Sequence, residues 1–138
     1  MKRMYYSALT YLILGLAAGV FYRELTVHYD FEGYTQLSLL HTHALTLGMV
    51  FFLITLVLER LFSLTEGKSF SHWFIVYNIG LVGLLVTMAI RGMGQVFTWE
   101  LSGFNHVAGL FHTLVGITLI WFFIILGGKV KSSSDQSG

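Results

Sequence analysis

Residues 37–58 read LSLLHTHALTLGMVFFLITLVL, and this stretch decides the fold. It contains no Asp, Glu, Lys or Arg. As a helix rising 1.5 Å per residue it covers about 33 Å, enough to cross the hydrocarbon core of a bilayer. Working outward, three further segments meet the same requirement: Tyr5 to Tyr22, Trp73 to Ile90 and Phe104 to Leu126. The expected fold class is therefore all-α, a polytopic membrane protein of four transmembrane helices. One domain spans 1–131, and the tail 132–138, made of Ser, Asp, Gln and Gly, has nothing to bury and is expected to be disordered.

Composition points the same way. Hydrophobic residues make up 55% of the 138 and charged residues 11%, more apolar surface than one soluble core of this size hides. The lipid bilayer is the solvent for most of the chain. There is no proline and no cysteine, which removes proline kinks, disulfides and thiolate metal sites. The net charge of +1 is spread over short connections, so no basic patch for nucleic acid exists.

Cytoplasmic loops carry the excess of Lys and Arg. Placing both termini inside puts Lys2, Arg3, Arg60, Lys68, Lys129 and Lys131 on the cytoplasmic side and leaves Arg23 and Arg91 outside. The expected topology is N-in/C-in. The opening Met-Lys-Arg and the later Ala17-Ala18-Gly19 also resemble a secretory signal, but the apolar stretch is longer than a signal core of about 7 to 15 residues. Helix one is expected to be retained. Gly15 and Gly19, Ala44 and Gly48, and Gly80, Gly83, Gly109 and Gly116 are expected to mark close helix contacts, because van der Waals packing drives association in lipid.

The chemical signal lies in the histidines. Ionisable side chains inside a span are costly and generally serve a function. His28 falls in an outer loop and His72 at the cytoplasmic end of helix three, where each reads as an ordinary solvated imidazole. His41 and His43 on helix two and His106 and His112 on helix four lie within the spans, all in the outer half. At 100° per residue, His41 and His43 point about 200° apart and cannot chelate one ion; His106 and His112 diverge by roughly 120°. If both His41 and His43 are ligands, they serve two sites.

Zinc or copper would require three or four converging ligands from several helices. Haem requires only one or two axial imidazoles, an apolar slot and cations for its propionates. Haem is thus the expected cofactor, with copper or zinc as the alternatives, and Arg91 at the outer end of helix three is a candidate propionate partner.

The Leu-Leu-His41-Thr42-His43-Ala stretch resembles the His-x-His of the haem-copper oxidase catalytic subunit, whose two histidines on one helix serve haems in adjacent pores. That subunit is built of three four-helix arcs, and this chain looks like one of them. The whole sequence also resembles a family of small bacterial four-span membrane proteins of unknown function, which implies the bacterial cytoplasmic membrane. The oxidase resemblance implies that His41 and His43 are axial haem ligands. It also implies a homo-oligomer, a trimer in which His41 of one copy pairs with His43 of the next. Helix three lacks the oxidase's buried histidine pair and helix two lacks its His-x3-Tyr, so oxygen reduction is not implied. Electron transfer with a quinol or an external redox partner, gas binding, or haem handling at the outer face are the activities left to an outer-half site.

Two other classes stay open on the residues alone. One is a metal-ion or proton transporter or channel using the intramembrane histidines and Glu59 as stations. The other is a structural subunit whose histidines hydrogen-bond across helices, at about 1 kcal/mol each.

Overall fold

The computed structural model describes residues 1–100 and 103–137. Four long helices account for most of them: α1, Lys2–His28; α2, Leu37–Phe62; α3, Lys68–Phe97; and α4, Phe104–Ser137. All four are long and apolar enough to cross a membrane, and no strand occurs among the described residues. Each expected span lies inside one helix. The helices overrun the spans at their ends, because no proline stops them. They stop where the backbone turns left-handed, at Ser63 after α2 (φ 49°) and Thr98 after α3 (φ 56°). Composition offers 132–138 no apolar face, yet the backbone of α4 stays helical to Ser137.

In cross-section the order is α1 along α2 and α4 along α3, with α2 and α3 at the centre. Helix α3 is the most enclosed: 44% of its spanning window is buried, against 17–22% for the other three. The buried residues of α1, Met4, Ala8, Tyr11 and Gly15, recur every three or four positions and form one stripe. Close approach is made where side chains are absent. A Cβ on Gly48 of α2 would lie 2.3 Å from the Tyr11 ring of α1, and one on Gly83 of α3 would lie 2.1 Å from the Phe111 ring of α4. Gly109 and Gly116, by contrast, face open space.

The two ends of the bundle differ. Met1 to Met4 line a hollow with Thr65, Phe70, Ser71 and Phe74, and Lys129 Nζ lies 3.1 Å from Glu66 Oε2. The N-terminus, the turn between α2 and α3 and the basic part of α4 thus share one end. Glu59 closes that turn, accepting the Thr65 N–H at 2.8 Å and the Thr65 hydroxyl. At the other end the segment before α2 is docked on α3: Thr35 Oγ1 donates to the Gly92 carbonyl at 2.7 Å and the Gln36 N–H to Gln95 Oε1 at 2.7 Å.

Between them lies an aromatic core. Phe51, Phe52, Trp73, Tyr77 and Phe122 pack with ring centroids about 5 to 6 Å apart. Trp73 Nε1 donates to the Thr118 carbonyl at 2.8 Å, joining α3 to α4. Tyr11 donates to Asn78 Oδ1 at 2.9 Å, joining α1 to α3.

Candidate functional site: an imidazole pair beside a π turn

Helix α2 is not uniform. It is α-helical over Leu37–His43, π-helical over Ala44–Val50 and α-helical again from Phe51. In the π register the N–H bonds five residues back, so the turn holds one residue more than an α turn. The Phe51 N–H shows it: it bonds to the carbonyls of Thr46 and Gly48 and passes over Leu47, its α-helical partner. The Leu47 carbonyl accepts instead from the Tyr77 hydroxyl at 2.8 Å. Such turns inside α-helices are frequent at functional sites. This one begins at the residue after His43.

His43 faces α4. Its ring lies 6.4 Å, centroid to centroid, from that of His112, with the planes at 79°. The two rings are held in the same manner. His43 Nδ1 is 2.9 Å from the Leu39 carbonyl, and His112 Nδ1 is 2.9 Å from the Ala108 carbonyl, each one turn back on its own helix. A carbonyl only accepts, so in each neutral ring the proton sits on Nδ1 and the lone pair on Nε2. Tying one ring nitrogen to a backbone carbonyl is how metal-binding histidines are oriented. Two rings on opposite sides of one ion, with each nitrogen about 2 Å from it, have centroids about 6 Å apart.

The other sequence-selected residues lie elsewhere. His41 packs against α1, where a Cβ on Gly19 would lie 3.7 Å from its own Cβ. The His41 Nδ1 is buried with no hydrogen-bond partner, and its Nε2 meets only Thr42 Oγ1, at 3.4 Å. His41 and His43 therefore address different neighbours. His106 is exposed near the start of α4. Arg91 lines a hollow of about 220 Å³ with Gly94, Gln95, Thr98 and Trp99. It stands eight residues beyond Gly83, which is level with Phe111, and so about 12 Å further along the helix. Among the described residues no three of His, Cys, Asp and Glu come together to hold a metal, so one chain assembles no three-ligand zinc or copper site. Glu59, a possible transport station on sequence grounds, is occupied in closing its turn.

Residues 1–129 match the family described as protein of unknown function, DUF2871. The chain belongs to the DUF2871 family. No curated protein and no solved structure matches it.

In this DUF2871 chain, spacing along each helix leaves two things out. It does not find that His43 and His112 meet, because the azimuth of one helix against another is set by packing and not by either helix's own period. Nor does it find Tyr77 and Asn78, which carry the polar links of α3 to α2 and α1. Asn78 is a polar side chain in the middle of an apolar span, a signal the sequence does carry.

Proposed function

We propose that the protein binds haem b in the outer half of the membrane, with His43 and His112 as the iron's protein ligands, for electron transfer, or for gas binding where one of the two imidazoles gives way to the gas. The observation that carries this reading is the pair itself: two imidazoles on facing helices, each with Nδ1 tied down and Nε2 free, at the separation of two rings sharing one ion. Two ligands suffice for haem iron, and among the described residues no group of three His, Cys, Asp or Glu gathers there. Arg91, further toward the outer end of α3, is the cation for a propionate. The protein supplies ligands, orientation and a lipid-shielded setting; the redox or gas-binding chemistry belongs to the iron.

His41 is a second half-site. Its neighbour within the chain is the backbone of α1, so a second ligand comes from another copy. His112 and His106 are also exposed on the single chain, and imidazoles facing lipid are costly. A homo-oligomer covers them, and the His-x-His resemblance favours a trimer, N-in/C-in in the bacterial cytoplasmic membrane. A quinol or an external redox partner would meet the site from the outer face.

The test is the visible spectrum of detergent-purified protein from cells supplied with haem, oxidised and reduced. A low-spin Soret band that becomes high-spin or disappears in both His43→Ala and His112→Ala supports the reading. A colourless wild-type protein overturns it. A coloured protein insensitive to His112→Ala but lost in His41→Ala moves the second ligand to a neighbouring copy.

A further inference from the structure

We infer that Tyr77 is a positioning residue for the His43–His112 site: by holding the π turn of α2, it keeps His43 aimed at α4. The inference rests on the proposed site but concerns geometry that exists without any cofactor.

Helix α2 is anchored on both sides of the π turn. Above it, the Leu37 N–H and side chain sit against Gly92 of α3, close enough that a Cβ there would lie 2.6 Å from the Leu37 nitrogen, and Thr35 is bonded to the Gly92 carbonyl. Below it, Phe51 and Phe52 are held by Trp73, Phe74, Tyr77 and Phe122. An unbroken α-helix turns about 100° per residue, so one extra residue between two fixed anchors must be taken up by a wider turn. That turn is Ala44–Val50. Its cost is a backbone carbonyl without its α-helical donor, and in a membrane such a group has no water to turn to. The Tyr77 hydroxyl, on a fully buried side chain, meets this need at Leu47. Gly48 adds room, since the Tyr11 ring occupies the place its Cβ would take.

The consequence for the site follows from counting. Were the turn to close to α geometry with every residue retained, the segment above it would rotate by about 100° relative to the segment below. Ala44 would then take the place of His43 opposite His112, and Thr42 that of His41.

The chain contains no cysteine, so introduced pairs can be read by cross-linking the full-length protein in haem-free native membranes with a short bismaleimide. The expected result is that Cys pairs at 43 and 112 cross-link well in the parent and pairs at 44 and 112 poorly. With Tyr77→Phe, the 43–112 product should fall and the 44–112 product rise, each about threefold. Simple destabilisation would lower both. Deleting the exposed Thr46 removes the extra residue, so it should preserve the 43–112 product and make it indifferent to Tyr77→Phe. The inference is overturned if Tyr77→Phe leaves the ratio of the two products unchanged, or if deleting Thr46 abolishes the 43–112 product while the chain stays folded. Because no haem is involved, a colourless protein that passes these tests sinks the haem reading alone.

Discussion

Around Trp73 the chain answers its own polar groups: the indole N–H meets the Thr118 carbonyl, the Tyr77 hydroxyl meets Leu47, and the Thr118 hydroxyl meets carbonyls of its own helix. Around His43 and His112 it does not. There the Nδ1 atoms are satisfied and the Nε2 atoms are left over, and Gly109 and Gly116 meet nothing; on the α1 side of the same helix the His41 Nδ1 is buried unpartnered. One region of the bundle closes its polar groups by its own contacts, and the other keeps ring nitrogens without a partner in the chain. In lipid this contrast carries weight, because an apolar surface costs nothing to expose there and a polar one does.

The largest effect is expected in the aromatic half, as the seat of stability. Trp73 is fully buried and stacks on Tyr77 and Phe122. Trp73→Ala should cost about 3 to 5 kcal/mol through the cavity and the lost contacts, measured as a drop in the denaturation midpoint of the detergent-solubilised protein. His43→Ala and His112→Ala should each change the stability of the haem-free protein by only about 0.5 kcal/mol. Equal losses at both places would remove the distinction.

A narrower test uses the glycines that let helices touch. Gly48→Ala places a Cβ 2.3 Å from Tyr11 Cγ and 2.4 Å from its Cβ, and the latter is too near the backbone to swing away. The expected cost is about 1 to 3 kcal/mol, as for other overpacked sites, read in the same unfolding assay. A neutral result would show that α1 shifts freely on α2, and the π turn would lose one of its supports.

The closing of the turn at the basic end should matter less. Glu59→Gln keeps the shape but replaces a carboxylate that accepts two bonds from Thr65. A loss of about 1 kcal/mol is expected, with the cross-linking of the histidine face unchanged. If Glu59→Gln instead altered metal or proton flux in proteoliposomes without affecting stability, Glu59 would be a station on a path and not a turn-closing group.

How much of this was legible in the residues follows from which forces act within one helix and which between helices. The four spans are legible because a bilayer demands long uninterrupted apolar runs, and 37–58 is such a run whatever surrounds it. That His41 and His43 address different neighbours is legible because it depends only on the helical period over two residues. The partner of His43 is not legible, since it depends on how α4 is turned against α2. The π turn is not legible either: Ala44–Val50 has no proline and its one glycine, Gly48, does not by itself specify a register, which is imposed by the Leu37–Gly92 contact on one side and the Phe51 cluster on the other. Gly109 and Gly116 show the limit from the other direction. As small residues within a span they read like Gly48 and Gly83, yet within one chain they pack against nothing.

The smallest effect on the chain's own stability is expected at those two positions. Gly109→Ala and Gly116→Ala add a methyl to open space, so the fold of the single chain has nothing to lose. Alanine is the better helix former by about 1 kcal/mol at most, so unfolding of the monomer should be unchanged or slightly delayed. Both glycines lie on the exposed side of α4, three and four residues to either side of His112. If another copy covers that side, backbones approach there and the added methyl groups should weaken the oligomer, seen by cross-linking or by light scattering in detergent, without weakening the chain. Oligomers as stable as the parent's would place the covering surface elsewhere, and the exposed imidazoles of α4 would then face lipid unaided.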